Sequence, residues 1–289
     1  MEIDLPPWKI FTQAIALIWQ KRAFALYISL PIVLLYALSG AAIDLGMIEQ
    51  SSFDLPAAQS LGTLSPAQIA WVLAVVFLYW FLFSVIAIFW HRNILLGEHS
   101  TGTIPLRVDG VVWRYLPYAI ATFVLTMLFG LVAGLIVVLI GGGLVWILGA
   151  AGLPVAPRHL FMLVLLPLFP ILSIAFFRLS LVLPAAAIGV RKFGFRSALL
   201  ISRGNSWRIL VIVLLMFALS ILIALLFGGA LLTLGPQALE VYAGLPKSLT
   251  LTGEAIFYVA QTLISIGVLS LTFAYLTYEG PKGGTEAQE

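Results

Sequence analysis

The sequence predicts an all-α fold, a polytopic bundle of six transmembrane helices with two amphipathic helices on its cytoplasmic face. Of the 289 residues, 62% are hydrophobic and only 9% are charged, whereas soluble domains contain about 25% charged residues. Six apolar runs are long enough to cross a hydrocarbon core of about 30 Å, which takes roughly 20 helical residues. Basic residues concentrate on alternate sides of these runs, as expected for membrane spans.

The six runs form one predicted transmembrane domain over residues 1–289. Five of them contain no charged residue, and the fourth contains a single one, Arg178. The predicted spans cover residues 23–43, 67–90, 115–140, 160–183, 209–234 and 256–276.

The third run has an ambiguous end. Gly141, Gly142 and Gly143 follow it, and a second apolar stretch, 144–153, comes next. One interpretation is a kinked helix end in the outer interface, anchored by Trp146. The other is a re-entrant segment that turns back inside the membrane.

The distribution of Lys and Arg predicts the orientation. If the N-terminus lies in the cytoplasm, 12 of the 15 basic residues fall on the cytoplasmic side of the membrane. Two, Arg158 and Lys247, fall on the opposite side, and one, Arg178, lies within a span. The positive-inside rule therefore predicts cytoplasmic N- and C-termini. Trp residues at the inner span ends agree with this, since indole rings favour the headgroup zone.

Two segments read as interfacial helices on the inner side. In segment 6–20 the apolar residues, among them Ile10 and Ile18, recur at helical spacing and form one face, and the polar residues lie largely on the other face. The segment 195–205 has the same character, since the apolar Ala198 and Leu199 contrast with the basic Arg196 and Arg203. Both are too short and too polar to span a membrane.

A weak internal repeat predicts three hairpin units, 1–92, 93–190 and 191–289. Spans one, three and five begin at Arg22, Arg114 and Arg208, while spans two and four end at Arg92 and Arg178. The alternative is that positive flanks recur in any six-span protein.

The sequence offers no catalytic constellation. It contains no Cys, no metalloprotease, nucleophile-elbow or nucleotide-binding motif, and no Asp or Glu within a span. His91 and His99 are expected in the inner loop and His159 outside, so no metal site is predicted. We therefore predict a protein that is not an enzyme and has no cofactor and no cleaved signal peptide.

The inner basic residues are the candidate binding groups. Arg178 either reaches headgroups or caps a neighbouring helix, or it joins a lipid-phosphate site with the basic strip that follows it. The predicted headgroup contacts are Arg178, Arg196, Arg203 and Arg208. Nucleic acid is a poor partner, because these residues lie close to span ends.

Small residues and prolines mark spans three and four. Gly130, Gly134 and Gly141 give span three a face suited to close helix packing, against this chain, a second copy or another membrane protein. Pro167 and Pro170 are expected to kink span four.

The stretches 176–185 and 195–208, with Arg178, Pro184, Ser197, Leu200 and Trp207, resemble a pattern in uncharacterised bacterial inner-membrane proteins. That group is related to the membrane domain of glycerophosphoryl diester phosphodiesterases and to the YciC-like family. No hydrophilic segment is long enough for the phosphodiesterase barrel. The resemblance implies a six-span inner-membrane protein concerned with envelope or lipid upkeep.

The predicted function is that of a non-enzymatic accessory or scaffold protein whose basic cytoplasmic face contacts anionic lipid. The alternative is a transporter or channel for a lipid or small solute, with a path between spans three and four.

Overall fold

The computed structural model describes residues 5–45, 66–98, 110–150, 157–233 and 245–278, and every regular element in those ranges is an α-helix. A short helix, α1 (Pro7–Gln20), leads directly into α2 (Arg22–Asp44). The other helices, in chain order, are α3 (Pro66–Leu95), α4 (Gly110–Ala150), α5 (Pro157–Ser180), α6 (Val182–Ala187), α7 (Phe195–Ile201), α8 (Ser206–Thr233) and α9 (Lys247–Thr277).

Six segments in the described ranges are long and apolar enough to cross a membrane, and each overlaps one predicted span. They are Arg22–Asp44, Leu73–Leu95, Gly110–Leu144, Pro170–Ala187, Ser206–Ile223 and Lys247–Thr277. The prediction of an all-α, six-span bundle is therefore confirmed, and the protein is a multi-pass integral membrane protein.

The third span differs from the prediction at its end. Helix α4 runs without interruption through Gly141, Gly142 and Gly143 to Ala150. Its 41 residues correspond to about 60 Å at 1.5 Å per residue, about twice the thickness of a hydrocarbon core. No reversal occurs before Ala150, so the described part of this segment is not re-entrant; residues 151–153 lie outside the described ranges.

Helix α1 has the predicted amphipathic pattern, but its apolar face packs on protein. Ile10, Phe11 and Ala14 are buried, and α1 contacts α8 and α9. A Cβ atom added to Gly267 of α9 would lie 3.4 Å from the Cβ of Ala14. Near its start, the ammonium of Lys9 lies 5.7 Å from the ring centre of Tyr275.

This contact brings the first and last described helices to the same end of the bundle. That end also carries the basic residues that flank the spans, and we call it the basic end; it is defined by Arg22, Arg92, Arg114, Arg178 and Arg208. Six spans likewise place the first and last described helices on the same side of the membrane. That the basic end faces the cytoplasm remains a prediction.

The most extensive contact between two described helices joins α2 and α9. At the end opposite the basic end, Asp44 accepts hydrogen bonds from the backbone N–H of Lys247 (2.7 Å) and of Ser248 (2.9 Å) and from the Ser248 hydroxyl (2.7 Å). The first N–H groups of a helix have no partner within it. Asp44 thus caps α9 from a helix 203 residues away in sequence.

Candidate functional site

Arg178 caps a neighbouring helix, which is one of its predicted roles. Its Nη2 donates a hydrogen bond to the carbonyl oxygen of Leu199 (2.7 Å), and its Nε donates to the Ser202 hydroxyl oxygen (2.8 Å). The carbonyl groups in the last turn of a helix lack partners within the helix. Arg178 therefore stabilises the end of α7, which is seven residues long; contact with a headgroup stays a prediction.

Arg92 has the same role at the end of α6. Its Nη1 donates to the carbonyl oxygen of Ala187 (3.3 Å), the last residue of α6. Its other two nitrogens hold both carboxylate oxygens of Glu98, at 2.6 and 2.8 Å, a bidentate geometry that arginine favours. The two arginines that end spans two and four thus act alike, as a repeat of hairpins would require, although the repeat itself stays a prediction.

Lys21, between α1 and α2, is bound to the end of α3. Its Nζ donates to the side-chain oxygen of Asn93 (2.6 Å) and to the Asn93 carbonyl oxygen (3.3 Å). Burial lowers the pKa of Lys21 below its ordinary value, because a less hydrated ammonium is less stable. These bonds join the α1–α2 junction to the basic end of the second span.

The other predicted arginines lie along the same end, and Arg196 and Arg203 flank the residues that Arg178 bonds. Arg196 and Arg203 are exposed, whereas Arg208 is partly buried and makes contacts of its own. Trp207, beside Arg208, is 71% exposed. Arg196 and Arg203 thus remain accessible to a membrane surface.

Two arginines that are not among the four predicted headgroup contacts, Arg114 and Arg191, line the same pocket. A depression of about 300 Å³, here called the basic pocket, is lined by Arg114 and Tyr118 of α4 and by Ala186, Gly189, Val190 and Arg191 at the end of α6. Gly189 has φ = +82°. Its N–H donates to Ala186 and that of Val190 to Ala185, the pattern of a Schellman motif in which glycine reverses the chain after a helix.

This turn is what brings Arg191 beside Arg114. Both side chains are exposed. The Nε of Arg114 donates to the carbonyl oxygen of Gly110 (3.2 Å). The sequence does contain a signal for this pocket. The residues after Pro184 are rich in Arg and Lys, and Gly189, which comes shortly before Arg191, is a typical residue to end a helix.

A second site, here called the inter-helix cavity, lies inside the bundle. It has a volume of about 380 Å³ and is lined mainly by α5, α8 and α9. Helix α4 contributes Tyr115, and Gly134 is not among the described lining residues, so the cavity does not follow the predicted path between spans three and four. Its walls are apolar, including Phe176, Phe177, Met216, Phe217 and Leu269.

His91 lines this cavity on the side of the basic end and is fully buried within α3, so its predicted position in a loop was wrong. Its Nδ1 lies 2.7 Å from the hydroxyl oxygen of Ser270, which itself lies 2.8 Å from the carbonyl oxygen of Ile266. The hydroxyl of Tyr115 lies 3.5 Å from the Nε2 atom. These three buried side chains join α3, α4 and α9.

A polar cluster lies at the other end of the cavity, near the middle of α9. The side-chain amide of Gln261 donates to the Ser220 hydroxyl oxygen, and that hydroxyl donates to the carbonyl oxygen of Met216 (3.0 Å). Ser265 lines the same region and donates to the backbone carbonyl of Gln261 (2.9 Å). Ser173 of α5 completes the polar lining there.

The predicted packing glycines lie on α4 with different surroundings. A Cβ atom on Gly130 would lie 3.7 Å from Leu172 of α5, an ordinary contact, and one on Gly134 would meet no described atom within 4 Å. Gly141 continues the same helix. The close backbone approach occurs instead at Gly40, which the sequence reasoning did not single out.

No group of three His, Cys, Asp or Glu side chains within the described ranges is placed to hold a metal ion. No protein-family model, curated protein or solved structure matches this chain. The two pockets are therefore the observations from which a function can be argued.

Proposed function

We propose that this protein is a non-enzymatic accessory or scaffold protein of the bacterial inner membrane whose basic, cytoplasmic end holds anionic lipid headgroups. The observation that supports this most directly is the basic pocket, where Arg114 and Arg191 line the same 300 Å³ depression. Guanidinium groups bind phosphate oxygens in pairs and are weakly hydrated, so they suit a lipid phosphate at the membrane surface.

The electrostatic surroundings favour the same function. No Asp or Glu occurs between Pro184 and Arg208, while Arg191, Lys192, Arg196 and Arg203 are all exposed. Each basic residue near an anionic surface contributes about 1 kcal/mol of attraction. Trp113 and Trp207, beside Arg114 and Arg208, are 58% and 71% exposed, as expected of rings in the headgroup zone.

The proposal keeps the expectations that follow from the resemblance, namely membership of that inner-membrane group and a part in envelope or lipid upkeep. The partner of such a scaffold would be a second copy of this chain or another membrane protein. A transporter or channel for a lipid or small solute is the alternative function, and the inter-helix cavity is the observation that favours it.

The test is lipid retention after mild detergent extraction, measured by native mass spectrometry. The protein is reconstituted in bilayers with equal amounts of phosphatidylglycerol and phosphatidylcholine, and Arg114→Gln and Arg191→Gln are compared with wild type. Lys192→Gln is the matched control, because Lys192 is an exposed neighbour outside the pocket.

We expect each pocket variant to lose most of the retained phosphatidylglycerol and the control to keep it. Equal retention by wild type and both pocket variants would refute the pocket as a headgroup site. An equal loss in the Lys192 control would show that only the overall positive charge attracts the lipid.

A further inference from the structure

The inter-helix cavity has an uncharged lining. None of its described lining residues is Asp, Glu, Lys or Arg, and its walls are largely apolar. An ion brought into such a site without an opposite charge loses its hydration at a cost of several kcal/mol. The lining therefore favours a neutral ligand over a lipid phosphate, a carboxylate or a metal ion.

The hydrogen-bonding groups at Gln261 specify the ligand further. One amide hydrogen of Gln261 is donated to Ser220, and the hydroxyl hydrogens of Ser220 and Ser265 are donated to backbone carbonyls. The Gln261 side-chain oxygen accepts no hydrogen bond from the described residues. The cluster thus presents several acceptors, together with the second amide hydrogen of Gln261.

A hydroxyl group matches this set, because it donates one hydrogen and accepts at its oxygen. An ether or ester oxygen can only accept, so it would leave the Gln261 oxygen without a donor. Buried polar groups left unpaired cost about 1–3 kcal/mol, which gives the cluster a physical basis for preferring an alcohol.

The cavity is closed towards the basic end and has lipid-facing residues at its side. His91 and Tyr115, which border it at the inner end, are 0% and 3% exposed. Phe176 of α5 and Phe217 of α8 line the cavity, yet are also 46% and 48% exposed on the bundle surface. Exposed rings on two spans mark a lateral mouth from the bilayer, which suits a bound lipid better than a solute crossing the membrane.

We propose that the inter-helix cavity is a binding site for a neutral lipid with a free hydroxyl group, the chemistry of a long-chain alcohol or a diacylglycerol. The hydroxyl hydrogen-bonds to Gln261 within the Ser220 and Ser265 cluster, and the chain lies along Phe176, Phe217 and Met216 towards the bilayer. A volume of about 380 Å³ falls within the range of small-molecule sites. This site is separate from the basic pocket and does not depend on it.

The test uses hexadecanol carrying a photoactivatable diazirine, with the full-length protein in phosphatidylcholine nanodiscs. After irradiation, labelled peptides are identified by mass spectrometry. Unlabelled hexadecanol, hexadecyl methyl ether and palmitate are then compared as competitors. We expect labelling of peptides that contain Phe176 or Phe217, and competition by the alcohol about five- to tenfold better than by the ether, the value of one well-placed hydrogen bond.

Gln261→Leu keeps the size of the side chain and removes its polar atoms, so it should abolish the preference for alcohol over ether. Ser220→Ala is a smaller change and should weaken the preference for alcohol over ether. It replaces Gln261→Leu in the experiment if that variant does not fold. Thr262→Val is the matched control, because Thr262 is adjacent in α9, bonds to the Tyr258 carbonyl and does not line the cavity.

Equal competition by alcohol and ether, or an unchanged preference in both cavity variants, would overturn the proposal. Stronger competition by palmitate would also overturn it and would indicate an anion site. Labelling spread evenly over all spans would mean that the alcohol only dissolves in the surrounding lipid.

Discussion

No side chain separates Gly40 from Ser248. A Cβ atom on Gly40 would lie 2.5 Å from the Ser248 backbone nitrogen and 2.6 Å from the carbonyl oxygen of Lys247. Both neighbours are backbone atoms, which cannot move aside as a side chain can, so α2 and α9 touch here only because residue 40 is glycine.

Gly40→Ala should therefore destabilise the bundle by about 1–3 kcal/mol, the usual cost of overpacking. The measurement is the thermal or denaturant unfolding of the purified protein in detergent. Gly267→Ala, whose Cβ would meet Ala14 at 3.4 Å, should have a smaller effect. Gly253→Ala in α9, which would meet no described atom within 4 Å, should be neutral. A wild-type melting temperature for Gly40→Ala would mean that the two helices are farther apart.

Asp44→Ala should lower the unfolding temperature, because the Lys247 and Ser248 N–H groups at the start of α9 lose their acceptor. Asp44→Asn keeps one acceptor oxygen and should fall between alanine and wild type. Lys247→Gln is the control, since it keeps the backbone N–H that makes the bond and removes only a minor charge attraction to Asp44, so its effect should be smaller. If both Asp44 variants melt like wild type, the cap does not contribute.

Arg178→Ala should destabilise the α7 region by about 1 kcal/mol. Hydrogen bonds from a charged group contribute about 1.5–3 kcal/mol when buried, and partial exposure of this pair reduces that value. Limited proteolysis around α7, followed by mass spectrometry, measures the local effect. Arg178→Lys keeps the charge but loses the fork that reaches Leu199 and Ser202, so it should restore little. Arg196→Ala, which changes an exposed residue, should be cleaved by the protease at the wild-type rate. Faster cleavage of this variant would indicate that any change near α7 destabilises the region.

Ser270→Ala should cost about 1–3 kcal/mol, because His91 then has a buried ring nitrogen without its partner. Thr272→Val is the matched control, since the Thr272 hydroxyl is also buried but bonds only within its own helix. Its effect should be below about 1 kcal/mol. Unfolding in detergent compares the two variants, and equal effects would indicate that the His91–Ser270 bond contributes little.

The six spans and the basic end could be predicted because they depend on properties of contiguous sequence. Lipid contact requires some twenty apolar residues in a row, and each such run is visible on its own. The helix ends were less accurate. The three glycines at 141–143 suggested a break, yet a glycine in a membrane helix keeps its backbone hydrogen bonds, and α4 continues through them.

The sites could not be predicted to the same degree, since they depend on partners far apart in the chain. Ser220 and Gln261 lie on different spans, and each serine also makes the ordinary bond to its own helix, so neither stands out in sequence. Gly40 looks like any other glycine in a span until Ser248 is placed beside it. Capping of a neighbouring helix was one of the roles predicted for Arg178. Its partner, the carbonyl group of Leu199, could be identified only from the structure.

The packing of α1 on α9 has a consequence for how the protein is made. Ala14 meets Gly267, and Lys9 meets Tyr275, so a helix made early in synthesis docks on one made much later. Until α9 has been inserted, Ile10 and Phe11 have no complete partner surface and Asp44 has no helix start to cap. A chain that stops before α9 would thus present an unfinished bundle to membrane quality-control proteases, so the bundle becomes complete only after α9 has been made.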